Sequence, residues 1–325
     1  MPTFIELCSG AGGLSQGFIS SGFVPLLLND VNKDCCQTLK LNHPNVSVVQ
    51  ESMEKIKLEE YIGKVDCLIA GLPCQSFSVA GKKKGLDDSR GNLFVIFSEI
   101  LIKLRPKIFV IENVKGLKFH NKGTTFQTIL KLLSSSEEYK IKYEVLNSFN
   151  FEVPQKRERM FIIGVRKDIS SEYVFPEEQK EKKVLRDVLL NCPESKGASY
   201  SEKKKKIFSL IPEGGCWVDL PLDLQKEYMG KSFYSSGGKR GMAKRLAMDK
   251  PSLTLTTSPV QKMTERIHPT AIPPRPLTVR EYARIQTFPD NYVFSGSMSS
   301  QYKQIGNAVP VKLAEHVARS VLKLL

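Results

Sequence analysis

Residues 1–166 repeat one rhythm of apolar and polar positions. Short apolar runs at 3–7, 23–28, 46–49, 65–70, 107–111, 143–149 and 160–165 are rich in Val, Ile and Phe and lack clean alternation. Strands buried on both faces have this pattern. Between them, residues 14–21, 93–104 and 125–134 space their apolar side chains three and four apart, as amphipathic helices do. Strands alternating with helices predict a doubly wound α/β sheet with mostly parallel strands. From about 176 to 274 the chain becomes Lys-rich and turn-rich and loses helical periodicity. The apolar pieces at 184–190 and 253–255 still argue for a small folded module there rather than a linker. Helical spacing returns over 311–325, with Leu313, Val317, Val321 and Leu324 on one face.

Composition narrows the class. A chain of 325 residues has room for two domains, and 41% hydrophobic with 25% charged residues excludes disorder over most of its length. The 48 Lys plus Arg outnumber the 34 Asp plus Glu, leaving +14. Such an excess suits a polyanionic partner, nucleic acid before membrane, although a solvated basic surface would carry the same charge. The most basic stretches are 203–206 and 239–245. The seven cysteines are odd in number and form no Cys-x-x-Cys pair, and no two of the four histidines stand at a ligand spacing. Neither a disulfide framework nor a metal site is expected. The N-terminus lacks the basic start and apolar stretch of a signal peptide, and no run of 18 apolar residues occurs. A soluble protein of a reducing compartment, without a membrane association, is expected.

Four short motifs carry candidate chemistry. Residues 4–14 (FIELCSGAGGL) are a strand, a glycine-rich turn and the start of a helix, where backbone can approach a ligand and present free N–H groups. Asp30 follows the second strand, placed to accept both ribose hydroxyls of a nucleoside cofactor, and Glu51 follows the third, within reach of an adenine amino group. NAD and S-adenosylmethionine are both admissible here, and so is an ordinary tight turn, because Ser15 stands where a dinucleotide motif has its third glycine. Residues 71–78 (GLPCQSFS) set Cys74 directly after a strand, where a thiol with a lowered pKa is a nucleophile; most cysteines are merely small core residues. Glu112-Asn113-Val114 ends another strand, where a buried acid can hold a proton at neutral pH. Residues 155–159 (QKRER) place Arg159 at the start of a further strand, able to meet a carbonyl oxygen or a phosphate.

Taken in this order, the motifs resemble the cytosine-C5 DNA methyltransferases of the bacterial restriction–modification type. The match runs through residues 4–14, 73–75, 88–94, 112–114 and 155–159, and resumes at 275–290 and 301–310. The resemblance implies a Rossmann-like S-adenosylmethionine-dependent methyltransferase domain at 1–175, completed by 300–325. It implies a smaller target-recognition domain at 176–299, whose variable part is 176–274. It implies that Cys74 attacks C6 of a cytosine flipped out of duplex DNA, that Glu112 protonates or hydrogen-bonds N3, that Arg159 contacts O2, and that Arg157 supports the loop. S-adenosylmethionine would lie against Phe4, Gly10, Gly12, Gly13, Leu14, Asp30, Glu51, Ser52, Gly71, Pro73, Leu93, Asn307 and Ala308. The DNA would meet Gln75, Ser76, Ser78, Arg90, Asn113, Lys239, Arg240 and Arg245. Two alternatives stand beside this reading: a related enzyme acting on tRNA, and an NAD oxidoreductase with a catalytic cysteine. The resemblance further implies a monomer in a prokaryotic cytoplasm, with its restriction endonuclease encoded nearby.

Overall fold

The apolar runs of the first half pair into one seven-stranded sheet. Its strands are β1 (Thr3–Leu7), β2 (Val24–Asp30), β3 (Ser47–Gln50), β4 (Cys67–Gly71), β5 (Ile108–Val114) and β6 (Tyr139–Asn147), with β8 (Glu158–Arg166) after the two-residue β7 (Gln155–Lys156), which lies outside it. The order is β3-β2-β1-β4-β5-β8-β6. β8 runs antiparallel to both its neighbours, and the other pairings are parallel. The order reverses between β1 and β4, and open α/β sheets bind ligands at the carboxyl ends flanking such a switch point.

The computed structural model describes residues 1–73, 93–234 and 241–325, and these divide into two units. The first comprises Met1–Phe151, Arg157–Lys180 and Ala308–Leu325; the second comprises Glu152–Lys156 and Glu181–Asn307. In the first unit α1 (Gly13–Ser20), α2 (Lys33–Asn42), α3 (Leu93–Leu104) and α4 (Thr124–Leu133) follow strands. Ile5, Leu68, Phe97, Phe109, Ile111 and Ile162 form the core between sheet and helices, all without exposed surface. Two of its tight points fall at glycines. A Cβ on Gly164 would stand 1.9 Å from the Phe109 ring, and one on Gly17 would stand 2.5 Å from Ala314 Cβ. The second contact lays the C-terminal helix, Val311–Leu322, directly on α1.

The second unit holds α5 (Arg186–Leu189), α6 (Glu202–Phe208), α7 (Leu222–Met229), α8 (Val279–Ile285) and α9 (Met298–Asn307). Two short parallel pairs join β9 (Lys244–Arg245) to β11 (Arg266–Ile267), and β10 (Ser252–Leu253) to β7. Tyr200, Phe208, Ile211, Met242 and Ile267 make its core. At the start of α8, Thr278 and Glu281 form a capping box, and Arg275 grips the Glu281 carboxylate at 2.7 and 2.8 Å. Burial pushes that carboxyl up, but Arg275 and His268 outweigh it and hold it at about 2.

Among the elements that depart from the sequence expectation are α2, β6 and α6. Helix α2 lies where no helix is expected; Asn32 caps it by accepting from the Cys35 N–H at 3.1 Å. β6 spans 139–147 rather than 143–149. The lysine run at 203–206 is the body of α6, and Lys203, Lys204 and Lys205 pair with Glu227, Glu265 and Glu202. The buried Glu265 also accepts from the Tyr228 hydroxyl at 2.6 Å, so Lys204 counters an internal charge and is not free to meet phosphate.

Candidate active site

Two structures meet at the carboxyl ends of the central strands of the first unit. The first is the glycine turn between β1 and α1. Cys8 and Gly10 both take positive φ, 54° each, and Gly12 follows at 80°, which turns the chain from strand to helix in five residues. The Ser9 N–H donates to the Asn29 carbonyl at 2.8 Å, and Ser9 Oγ accepts from the Asn29 N–H at 3.2 Å, tying the turn to the end of β2. There Asp30 accepts the Gly10 N–H on one carboxylate oxygen and the Asn32 N–H on the other, both at 2.8 Å. Burial pushes the Asp30 carboxyl above the usual range while these N–H groups pull it back. Each oxygen has spent one lone pair on backbone and keeps another, which suits a vicinal diol. Among the described residues, chain neighbours apart, nothing lies within 4 Å of where a Cβ on Gly10 would stand, so the turn borders open space beside Asp30. After β3, the exposed Glu51 accepts the Ser52 N–H at 2.9 Å, and its own carbonyl accepts from the Asn29 side-chain amide at 2.7 Å.

The second structure is an acid–arginine pair. Sheet register sets Gly71 of β4 beside Glu112 of β5, and Val114 of β5 opposite Arg159 of β8. Arg159 Nε lies 2.8 Å from Glu112 Oε1, with both side chains largely buried. Burial pushes the Glu112 carboxyl up, and the charges of Arg159 and Arg157 oppose that rise. Arg157 is 1% exposed; burial and the like charge of Arg159 push it down to about 9, while Glu112 supports it, so it remains cationic at neutral pH. Glu112 Oε2 lies 3.7 Å from where a Cβ on Gly71 would stand, so the acid faces the end of β4. Asn113 donates its side-chain amide to the Leu72 carbonyl at 2.8 Å and accepts the Val114 N–H at 2.8 Å. It thereby fixes the chain just before Pro73 and Cys74.

A model of the C-5 cytosine-specific DNA methylases matches residues 2–323. The chain belongs to that family. It is 49% identical over 327 residues to the Type II methyltransferase M.Sau96I of Staphylococcus aureus, covering 98% of this chain and 75% of that one. It is 47% identical to the Type II methyltransferase M.Eco47II of Escherichia coli, covering 99% and 79%. Among solved structures it resembles a prophage-encoded Escherichia coli protein described as a DNA modification methyltransferase, with TM-score 0.74, 25% identity, and coverage of 100% and 99%. It also shares its fold with a Dnmt2 variant of Spodoptera frugiperda, at TM-score 0.69 and 20% identity, covering 100% and 99%. The matching family is one of DNA methylases and the relatives are named Type II methyltransferases, which favours DNA over the tRNA alternative.

Several expected site residues of this methylase-family chain stand elsewhere. Phe4 has no exposed surface and packs against the Phe18 ring at 5.7 Å, because it lies in the strand four residues before Cys8, where the turn begins. Asn113 is 3% exposed with its amide committed to backbone, so it positions a loop instead of meeting DNA. Arg245 is 9% exposed, and its guanidinium donates to the carbonyls of Pro269, Ile211 and Ala271 at 2.9, 3.0 and 3.2 Å. It holds the second unit together from inside. Gln155 is likewise internal: it donates to Gln286 and accepts from the Leu255 N–H. Gly12, Gly13 and Leu14 are buried at the start of α1, with Gly13 against Ala308 and Val309. Gly71 and Leu93 are half-buried, Pro73 is exposed, and Asn307 ends α9 in the second unit. Cys74, Gln75, Ser76, Ser78, Arg90, Lys239 and Arg240 lie outside the described residues.

Glu6 and Cys8 belong to the site's surroundings without standing out in the sequence. Glu6 is 1% exposed beneath the turn, and among the described residues its Oε2 has no hydrogen-bond partner. Burial pushes its carboxyl up to about 8, against the pull of Ser15 and Ser9 and with the Asp30 charge adding to the rise. An acid inside the apolar run FIEL is the signal that marks it. Burial pushes the Cys8 thiol up to about 12, helped by the charges of Asp30 and Glu6. Among the described residues no group of three or more His, Cys, Asp or Glu could hold a metal, and no helix is long and apolar enough to cross a membrane.

Proposed function

We propose that this chain transfers a methyl group from S-adenosylmethionine to C5 of a flipped-out cytosine in a short duplex sequence, as the modification enzyme of a restriction–modification system. The observation that carries the reading is the Glu112–Arg159 pair at the end of β5, facing Gly71 at the end of β4, three residues before Cys74 in the sequence. Cytosine is a poor electrophile because attack at C6 drives electrons onto the ring. Cys74, as thiolate, forms the bond to C6, and Glu112 delivers a proton to N3 to take up that charge. Its buried carboxyl, pushed up by desolvation, is suited to carrying this proton. Arg159 steadies the base at O2, and Arg157 fixes the arginine–acid pair from behind. The electron pair then resides at C5, where S-adenosylmethionine, when bound, would supply the methyl carbon, its bond to sulfur breaking as the bond to C5 forms. Loss of the C5 proton to a base restores the C5–C6 double bond and expels the Cys74 thiolate, and N3 returns its proton to Glu112.

S-adenosylmethionine supplies an electrophilic methyl group on a sulfonium. Asp30 is suited to the ribose hydroxyls, Gly10 to Gly13 to the methionyl end, and Glu51 with Ser52 to the adenine. Four of the six described thiols, those of Cys8, Cys36, Cys67 and Cys192, are pushed up by burial and are poor nucleophiles, which supports Cys74 in that role. The setting proposed is a prokaryotic cytoplasm, with a monomer acting on duplex DNA and an endonuclease encoded nearby. Bisulfite sequencing of plasmid DNA from cells expressing the chain tests this. Protected cytosines within one short sequence are expected; uniform conversion with folded, expressed protein would refute it.

A further inference from the structure

Beyond the pair at the end of β5, the first unit carries an open basic groove that the chemistry above does not use. The chain leaves β5 at Val114 and runs through 3-10 turns over Lys115–Gly123, interrupted by a kink at His120, Asn121 and Lys122, into α4. Lys115 pairs with Glu158 at 2.9 Å, beside Arg159. Further out, Lys118, Lys122 and Lys131 line a groove of about 440 Å³ together with Gln127, Phe126 and Tyr143. Among the described residues these three lysines form no ion pair, and no acidic side chain lines the groove. This contrasts with Lys115, Lys142, Lys203, Lys204 and Lys205, each held by a carboxylate. The floor is aromatic: Phe126 is 2% exposed and meets the Tyr143 ring edge-on at 4.8 Å. Tyr143 is 41% exposed, and Lys118 Nζ stands 5.8 Å over its ring. Asn121 and Lys122 both take positive φ, 49° and 55°, a conformation that costs energy in non-glycine residues and that sets Lys122 at the rim.

Unpaired lysines around a shallow aromatic floor do not bury a small ligand, but they do match a linear polyanion that passes over the surface. Duplex DNA carries one phosphate per 3.4 Å of each strand, so a duplex entering the site beside Arg159 presents further phosphates outward from it. We infer that Lys118, Lys122 and Lys131 hold the phosphodiester backbone of DNA flanking the target sequence, extending the footprint of the first unit along its β5–α4 edge. The inference rests on the proposed action on duplex DNA. Contacts of this kind set register and affinity and carry no sequence preference.

The test is the full chain with Lys118→Gln, Lys122→Gln and Lys131→Gln together, compared with wild type on two duplexes bearing the mapped methylation site. One duplex is trimmed to a few base pairs either side, and the other extends well beyond. On the long duplex the log–log salt slope of binding should fall by about 0.9 for each phosphate no longer neutralised, so by roughly 2.7 for three. On the short duplex binding and methyl transfer should match wild type, and thermal melting should be unchanged because all three side chains are solvent-facing. Equal salt slopes for variant and wild type on the long duplex would overturn the inference while leaving methylation intact. Equal weakening on both duplexes would overturn the flanking assignment as well. Failure of wild type to methylate either duplex would instead strike the proposed function.

Discussion

Glu6 offers a prediction whose size follows from the structure. Its carboxyl sits one residue from the end of β1 with 1% exposure and one oxygen unpartnered among the described residues, so ionising it in the folded state is costly. Folded, it titrates at about 8; unfolded, it returns to its ordinary 4.5. An acid raised in this way contributes its full share of stability below the unfolded value and loses it as pH rises through the folded one. Each pH unit between the two values is about 1.4 kcal/mol, so the whole gap is worth about 5 kcal/mol, of which about 3 kcal/mol is lost between pH 5 and pH 8. Glu6→Gln keeps the shape and cannot ionise. Urea unfolding of both proteins at pH 5, 6, 7 and 8, followed by circular dichroism, isolates the effect, because titrating groups not coupled to Glu6 cancel in the difference. The stability of wild type relative to the variant should fall by about 3 kcal/mol across that range. Parallel pH curves would show that Glu6 is solvated or paired, and would refute the reasoning.

Other outcomes follow from the same geometry. Glu112→Gln retains a hydrogen-bonding group toward Arg159 but has no proton to deliver, so methyl transfer in single-turnover assays should slow by about 10²- to 10⁴-fold with DNA binding little changed. Asp30→Ala should act on cofactor affinity, seen as weaker S-adenosylmethionine binding by calorimetry, and NAD should not compete. Arg245→Ala removes three hydrogen bonds inside the second unit and should cost a few kcal/mol of its stability, measured by denaturant unfolding, without moving the methylated sequence at temperatures where the unit stays folded.

The parallel strands are legible because burial on both faces leaves uninterrupted apolar runs, as in LIAG of β4 and IFVI of β5. β6 begins four residues before its apolar run suggests. It is an edge strand of the sheet, and its opening alternation, Tyr139-Lys-Ile-Lys-Tyr143, is a period-two pattern rather than a continuous apolar run. Helix α2 escapes because KDCCQTLKLN buries only Cys35, Cys36, Thr38 and Leu39, too few apolar positions to define a stripe. Glu112 and Arg159 can be named from motifs, but their 2.8 Å pairing depends on the β5–β8 register, which connects residues 47 apart. The commitments of Asn113 and Arg245 to backbone carbonyls are not legible at all: the partners are set by tertiary folding, and a basic residue in a basic stretch looks the same whether it faces DNA or a carbonyl cage. The ion pairs of the lysine run are hidden for the same reason, since Glu227 and Glu265 come from distant parts of the second unit.

The central claim is that Cys74 forms the bond to C6 of cytosine. Duplex DNA carrying 5-fluorocytosine at the mapped target position, incubated with the wild-type chain and S-adenosylmethionine, tests it most directly. Fluorine at C5 cannot leave as a proton, so the thiol cannot depart and the complex should survive denaturing electrophoresis. Peptide mapping should then place the nucleotide on Cys74. An adduct on Cys8, whose thiol stands beside the glycine turn, or normal turnover with no adduct at all, would contradict the account.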